Sequence, residues 1–136
     1  MKKIIPVFVM SLFVGIGFAQ SIKKGTFIGF HLEEIELAPG VSMDEYIDFV
    51  INKFVPEYEK VFGSKVHVTK GVRGENNNRY GMMIIYDSET SRNKYFNNDG
   101  TGTEAAKNAS IKLESINKEL EKLGTSQSKY TDWVVQ

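Results

Sequence analysis

The sequence contains no cysteine and only two histidines among its 136 residues. The absence of cysteine excludes disulfides, thiolate nucleophiles and thiolate metal ligands, and it leaves no thiol for a lipid to be attached to. An excess of one charge is also missing, because 17 basic residues face 17 acidic ones. Without a basic excess, or a cluster of lysines interleaved with aromatic residues, the sequence predicts no nucleic-acid partner.

A long apolar run occurs in the stretch "MKKIIPVFVMSLFVGIGFAQ" at residues 1–20. Two lysines precede the run, and small residues follow it at Gly17 and Ala19, which is the order of a secretory signal peptide. The run is shorter than the roughly 20 apolar residues that span a bilayer, which disfavours the alternative of a membrane anchor. We therefore predict a signal peptide at residues 1–19, export to the periplasm or out of the cell, and no membrane attachment after cleavage.

Residues 20–136 have the length of one domain, and two of the 17 basic residues precede them, so they carry a small acidic excess. Their first segment, "FIGFHLEEIEL" at 27–37, is rich in β-branched and aromatic residues. It is followed by Ala38, Pro39 and Gly40, which stop a strand. We therefore predict the first strand at 27–37.

The next segment has the pattern of an amphipathic helix. Ser42 and Glu45 have the spacing of a capping box, in which each side chain bonds to the backbone of the other. Apolar residues recur behind them at helical spacing. Pro56 lacks an amide hydrogen and crowds the preceding turn, so we predict a kink near Val55, and Gly63 ends the helix.

Two more strands are predicted on either side of a polar connection. Residues 65–73 alternate valines with polar residues, which is typical of a strand with one buried face. Residues 79–86 are apolar on both faces, as in a central strand. The connection at 74–78 is rich in residues that tolerate left-handed backbone angles, which predicts a hairpin turn. It does not have the Walker spacing of a phosphate loop, and it leads into a strand instead of a helix.

The rest of the chain predicts a split helical region and a last strand. Ser88 can cap a short helix that runs to about Phe96. After a polar loop, residues 103–123 carry an apolar stripe at helical spacing, and Gly124 stands where a helix-terminating glycine is expected. The final strand is predicted at 129–136.

The order strand, helix, strand, strand, helix, strand is that of the split βαβ, ferredoxin-like α+β fold. Such a fold has a four-stranded antiparallel sheet with its helices on one face. The other face would carry apolar side chains of the third strand, either Tyr80, Met82, Ile84 and Tyr86 or the opposite set with Met83 and Ile85. An exposed apolar face of that extent usually has a partner.

The stretches "HLEEIELAPGVSMDEYIDFV", "KVHVTKGVRG", "RYGMMIIYDSETSRNKYF" and "WVV" together resemble the dimeric α+β barrel superfamily over nearly all of residues 20–136. The resemblance implies a homodimer in which two ferredoxin-like sheets pack face to face and the last strand helps to join the subunits. The chain also resembles small exported bacterial members of unassigned function and antibiotic-biosynthesis-monooxygenase-like members.

The superfamily includes cofactor-independent monooxygenases that act on aromatic substrates, and haem-degrading enzymes. The haem degraders place asparagine, histidine and tryptophan around the ligand. No asparagine of this sequence matches that arrangement, because its asparagines fall mainly in predicted loops. We therefore do not transfer a haem site to this chain, and we predict no cofactor.

Five residues are candidates for lining a ligand cleft: His31, His67, Arg73, Tyr86 and Trp133. If the strands pair so that His31 and His67 share a face, these two and Glu33 would form an acid–base pair or part of a metal triad. The alternative is two ordinary strand histidines. No tight ligand spacing such as HxH occurs, so we predict no metal site.

The other three candidates also have two interpretations. Arg73 shares the predicted strand parity of His67, which favours either anion recognition in the cleft or a salt bridge to Glu33 or across a dimer. Tyr86 and Trp133 supply aromatic surface, either for stacking on a flat ligand or for packing in a dimer core.

We predict that the protein binds a small apolar or aromatic molecule in a cleft between helices and sheet of a homodimer. One alternative is a cofactor-independent, monooxygenase-like enzyme acting on an aromatic substrate. Another is a non-catalytic structural or protein-interaction module. The three differ in what they need, because an enzyme requires convergent polar groups in a pocket, a binding protein requires mainly the pocket, and an interaction module requires neither.

Overall fold

The computed structural model describes residues 22–136, so the predicted signal peptide and its cleavage site lie outside the described residues. The strands are β1 Phe27–Leu37, β2 Lys65–Lys70, β3 Tyr80–Tyr86 and β4 Gly124–Val134. They form one sheet in the order β2-β3-β1-β4, with every neighbouring pair antiparallel. The predicted ferredoxin-like α+β fold with a four-stranded antiparallel sheet is confirmed.

The helical elements are α1 Met43–Phe49, a π-helical turn Val50–Phe54, α2 Val55–Phe62, α3 Glu89–Asn93, α4 Glu104–Ile111 and α5 Glu114–Glu121. None of these helices is long and apolar enough to cross a bilayer. The main core lies between helices and sheet, and its buried members are Phe27, Tyr46, Val50, Val55, Val66, Ile84 and Tyr86. A second cluster joins α2 to α4 through Phe62, Ala106, Ala109 and Leu113.

The first helical region follows the sequence pattern closely. Ser42 caps α1, and its Oγ accepts a hydrogen bond from the Glu45 amide at 3.2 Å. The kink predicted near Val55 takes the form of the π-helical turn directly before Pro56, because proline cannot donate the hydrogen bond that an unbroken α-helix requires. Gly63 ends α2 in the left-handed conformation.

The strand register separates the side chains into two faces. His31 is paired with Met82, which in turn is paired with Val68, so these three lie on the face that the helices cover. His67 is paired with Met83 on the opposite face. We call this opposite face the open face; its apolar side chains are Ile28, Phe30, Leu32, Met83, Ile85 and Trp133.

The strand β2 is three residues shorter than predicted. It ends at Lys70, and Val72 is 78% exposed although it continues the valine alternation. The chain turns earlier because the Gly71 amide donates to the Arg79 carbonyl at 2.8 Å, which closes a loop over residues 71–79. The predicted turn between β2 and β3 is therefore confirmed, but it is longer than expected.

The C-terminal region differs from the prediction at two places. The single helix expected at 103–123 is divided into α4 and α5 by a tighter turn, in which the Leu113 amide donates to the Ser110 carbonyl, and Leu113 enters the core. The strand β4 begins at Gly124, five residues before the predicted position at 129. Gly124 is thus a strand residue, and a Cβ there would lie 2.6 Å from the Glu36 carbonyl oxygen.

Candidate functional site

A cleft of about 450 Å³ lies between the sheet and the helices. Its apolar walls include Val66, Val68, Met82 and Ile84 of the sheet and Val50 and Phe54 of the π-helical turn. Pockets that bind small molecules in proteins have volumes of roughly 300–1,000 Å³ and are mostly apolar. The cleft therefore has the size and the lining of a small-molecule site.

A group of polar side chains from β1 and β4 forms one wall of the cleft. Glu33 accepts a hydrogen bond through Oε2 from the Ser126 hydroxyl. Its other oxygen, Oε1, is buried and has no hydrogen-bond partner among residues 22–136. Beside it, the Nδ1 atom of His31 lies 3.3 Å from the Ser128 hydroxyl. The cleft thus combines apolar walls with one polar wall that contains a carboxylate and an imidazole.

His31 is the sequence-predicted residue that the structure places in the cleft. Burial lowers its pKa below the ordinary value of 6.5, against the opposite effects of the Glu33 and Asp132 charges. The imidazole is therefore neutral at pH 7, so one ring nitrogen is able to accept a hydrogen bond or a proton. Its ring stacks on Tyr130 with a centroid distance of 5.4 Å.

A smaller cavity of about 90 Å³ lies beside His31 and is built around a buried arginine. Arg92 is only 7% exposed, and its Nη2 donates to Asp132 Oδ2 at 2.9 Å. Its Nη1 donates to the carbonyls of Phe96 and Asn97 at 2.9 and 2.7 Å. The arginine therefore fixes the loop after α3 and holds a carboxylate of β4 near the imidazole.

The sequence pattern did not indicate Arg92 and Asp132 as site residues. One signal was present, since a basic residue in the last turn of a short helix often bonds to the free carbonyls at the helix end. Its ion-pair partner had no sequence signal, because Asp132 is 40 residues away along the chain.

Gly29 leaves the space in which Asp132 and His31 approach each other. A Cβ at this position would lie 3.1 Å from Asp132 Oδ1 and 3.4 Å from His31 Nε2. The first distance is tighter than an ordinary van der Waals contact, and the second is at its lower limit. Glycine in β1 therefore permits the two side chains to lie together over the same point of the sheet.

The five predicted ligand residues do not come together. His31 lines the cleft, and Tyr86 is buried behind it, where it lines the smaller cavity. Burial raises the pKa of Tyr86. His67 and Trp133 lie on the open face, so the two histidines form neither an acid–base pair nor two parts of one metal site.

Arg73 is not on a strand, so the parity argument for its direction was wrong. It lies in the exposed turn after Lys70. Arg79, at the other end of this turn, forms an ion pair: its Nη2 lies 3.2 Å from Glu34 Oε1. No group of three histidine, aspartate or glutamate side chains within residues 22–136 is placed to hold a metal ion.

No protein-family model matches the sequence, and no curated protein does. In structure, the chain is similar to a NIPSNAP family protein from Agrobacterium tumefaciens, with a TM-score of 0.55, 14% identity and coverage of 82% of this chain and 93% of that chain. This likeness is one of fold. Together with the sheet order it supports the predicted fold.

Two further solved structures are similar at a TM-score of 0.41 each. One is a dimeric protein of unknown function with a ferredoxin-like fold from Bacteroides fragilis, with 13% identity and coverage of 82% of this chain and 98% of that chain. The other is an ethyl tert-butyl ether D family protein from Bacillus halodurans, with 17% identity and coverage of 76% and 96%.

Proposed function

We propose that the protein binds a small, mainly apolar or aromatic molecule in the cleft between its helices and its sheet. The cleft itself carries this proposal, because about 450 Å³ with apolar walls and a single polar wall is suited to holding and orienting such a molecule. Of the predicted ligand residues, His31 is retained in this role.

The π-helical turn is a second support for the cleft as the functional site. Interruptions of an α-helix by a π-helical turn are rare and occur frequently at functional sites. Here Val50 and Phe54, which begin and end this turn, both line the cleft. The irregular backbone therefore lies at the place where we propose that the ligand binds.

The cleft also gives one observation in favour of the enzyme alternative. An enzyme that removes a proton from an aromatic substrate needs a base that is unprotonated at working pH. His31 fits that description, since burial lowers its pKa and its ring lies at the cleft wall. Turnover of an aromatic compound that is lost in His31→Ala and kept in His67→Ala would favour this alternative over simple binding.

We further propose that the chain is exported and forms a homodimer through its open face. Phe30 and Trp133 are 36% and 60% exposed on that face. The strand β4 is at the edge of the sheet and is exposed along ten of its eleven residues. A second copy packed on this face would cover the apolar side chains and the adjacent strand edge.

Binding of the neutral fluorescent dye N-phenyl-1-naphthylamine tests the cleft proposal. We expect the dye to bind, and we expect Val68→Trp to weaken binding about tenfold, because the larger side chain occupies space for which a ligand competes. Trp133→Ala is the control, because it removes an aromatic side chain from the open face.

Dye fluorescence titrated with each variant gives the comparison, and circular dichroism confirms that each variant is folded. Binding that is kept in Val68→Trp and lost in Trp133→Ala would place the dye on the open face and contradict the proposal. The absence of binding to the unaltered protein would contradict it as well.

A further inference from the structure

We infer that the cleft takes an organic cation, namely a compound with an aromatic or aliphatic body and one protonated amino group. This inference rests on the proposed function, because it specifies the chemistry of the molecule in the same cleft. Three properties of the described cleft wall support it: the sign of its charges, the state of Glu33 and the number of aromatic rings.

The charged side chains of the wall are acidic. Glu33 and Glu121 line the cleft, whereas none of the described lining residues is lysine or arginine. Lys70 lies at the rim, where its Nζ is 5.4 Å from the centroid of the Tyr80 ring. His31 adds no positive charge at pH 7, because burial lowers its pKa. A cation entering the cleft therefore meets a negative potential, and an anion is repelled.

Glu33 lacks a positive partner within the protein that the structure describes. It forms no ion pair with a lysine or arginine among residues 22–136. Ser126 satisfies one carboxylate oxygen, and the other is buried without a hydrogen bond. Glu33 is half-buried, and a carboxylate oxygen shielded from water without a hydrogen bond or a counter-charge is unfavourable, so a ligand that brings a positive charge supplies the partner that the described residues do not.

Four aromatic rings line the same cleft as this carboxylate. The cleft is lined by Tyr46, Phe54, Tyr58 and Tyr80. The face of an aromatic ring attracts cations, and ring clusters are used to recognise organic ammonium groups. Burial raises the pKa of the Tyr46 hydroxyl, and the charge of Glu33 raises it further, which places Tyr46 within the electrostatic reach of this carboxylate. Tyr80 is also the cross-strand partner of Glu33, so at least two of the rings lie beside the carboxylate.

Three probes with a phenyl body and different heads test the inference: 2-phenylethylamine, 2-phenylethanol and 3-phenylpropionate. We expect the amine to bind about tenfold more tightly than the alcohol, and the carboxylate to bind most weakly. Calorimetry at pH 7, or displacement of N-phenyl-1-naphthylamine, gives the three affinities. Glu33→Gln should reduce the preference for the amine over the alcohol to about twofold, because it removes the charge and keeps the shape.

Glu36→Gln is the matched control, because Glu36 lies on the same strand but is exposed on the open side of the sheet. We expect it to leave the preference for the amine unchanged. If Glu33→Gln does not fold, as judged by circular dichroism, the ranking of the three probes on the unaltered protein still decides the question.

The outcomes separate this inference from the proposed function. If the dye binds while the alcohol or the carboxylate binds as tightly as the amine, the cleft is a binding site and the inference of a cation is wrong. If neither the dye nor any phenyl compound binds, the proposed function fails and the inference fails with it. A preference for the amine that survives in Glu33→Gln would also overturn the role given to Glu33.

Discussion

At the scale of single residues, the sequence showed which side chains are unusual but not where they lie. The structure places His31 at the wall of the cleft. His67 is also a histidine on a strand. The two histidines lie on opposite faces because His31 pairs with Met82, whereas His67 pairs with the next residue, Met83. A shift of one residue in register would exchange the faces, and sequence alone does not specify register.

The ion pair between the buried Arg92 and the partly exposed Asp132 leads to a prediction about stability. Arg92→Ala should lower the free energy of unfolding by about 3 kcal/mol, because it leaves the carbonyls of Phe96 and Asn97 and the Asp132 carboxylate without their buried donor. It also removes the guanidinium from the rings of Phe27 and Phe96, whose centroids lie 5.5 and 5.6 Å away. Urea denaturation followed by circular dichroism measures the change.

Arg79→Ala is the matched control for this prediction. Arg79 also forms an arginine–carboxylate pair, but its pair with Glu34 is largely exposed. Exposed ion pairs contribute about 0–1 kcal/mol, so the control should be almost as stable as the unaltered protein. Equal losses in the two variants would show that burial does not govern the contribution of Arg92.

At the scale of elements, the sequence predicted best where the signal is local. Ser42 and Glu45 set the start of α1, and Pro56 sets the position of the π-helical turn, because both effects act within one helical turn. The beginning of β4 was missed because residues 124–128 are polar or small and resemble a loop. Pairing with β1 makes them a strand, as the register from Leu37 and Gly124 onward shows.

The turn between β2 and β3 gives a prediction at this scale. A Cβ at Gly71 would lie 1.8 Å from the backbone oxygen of Asn76, so alanine is not compatible with the observed turn. We expect Gly71→Ala to cost about 3 kcal/mol of unfolding free energy and to increase hydrogen exchange of the amides in β2 and β3.

Gly74 provides the comparison within the same turn. It has a φ of +81°, and a Cβ there would meet nothing within 4 Å. Gly74→Ala should therefore cost only the strain of a left-handed backbone, about 1 kcal/mol. Urea denaturation and hydrogen exchange of both variants test the difference, and a smaller loss in Gly71→Ala than in Gly74→Ala would contradict the described turn.

At the scale of the whole molecule, the element order was sufficient to predict the fold, and the composition was not sufficient to predict the site. The order of six elements selects the ferredoxin-like sheet because the strands on either side of each helix have few other ways to pair. The cleft depends instead on how far the helices stand from the sheet and on which side chains fill the gap. Glu33 is an example of a site residue that the sequence does not identify. No pattern in "FHLEEIEL" distinguishes it from Glu34, which lies outside the cleft and forms ion pairs with Arg79 and Lys129.

The homodimer proposal is tested at this scale, by native mass spectrometry of the purified protein. We expect a dimer, because Trp133 and Phe30 expose apolar surface beside the free edge of β4 and a second copy would bury all three together. Trp133→Lys should weaken the dimer about 30-fold, since a buried tryptophan at the centre of an interface typically contributes 2 kcal/mol or more.

Ile111→Lys is the control for the dimer, because Ile111 is also an exposed apolar residue, 68% accessible, but it lies on α4 and away from the open face. It should leave the subunit number unchanged, whereas a general effect of added charge would weaken the dimer in both variants. A monomer at micromolar concentration, with or without a retained ligand, would contradict the dimer. The open face would then have to be covered by a partner of another kind, since Trp133 would otherwise remain in water next to an unpaired strand edge.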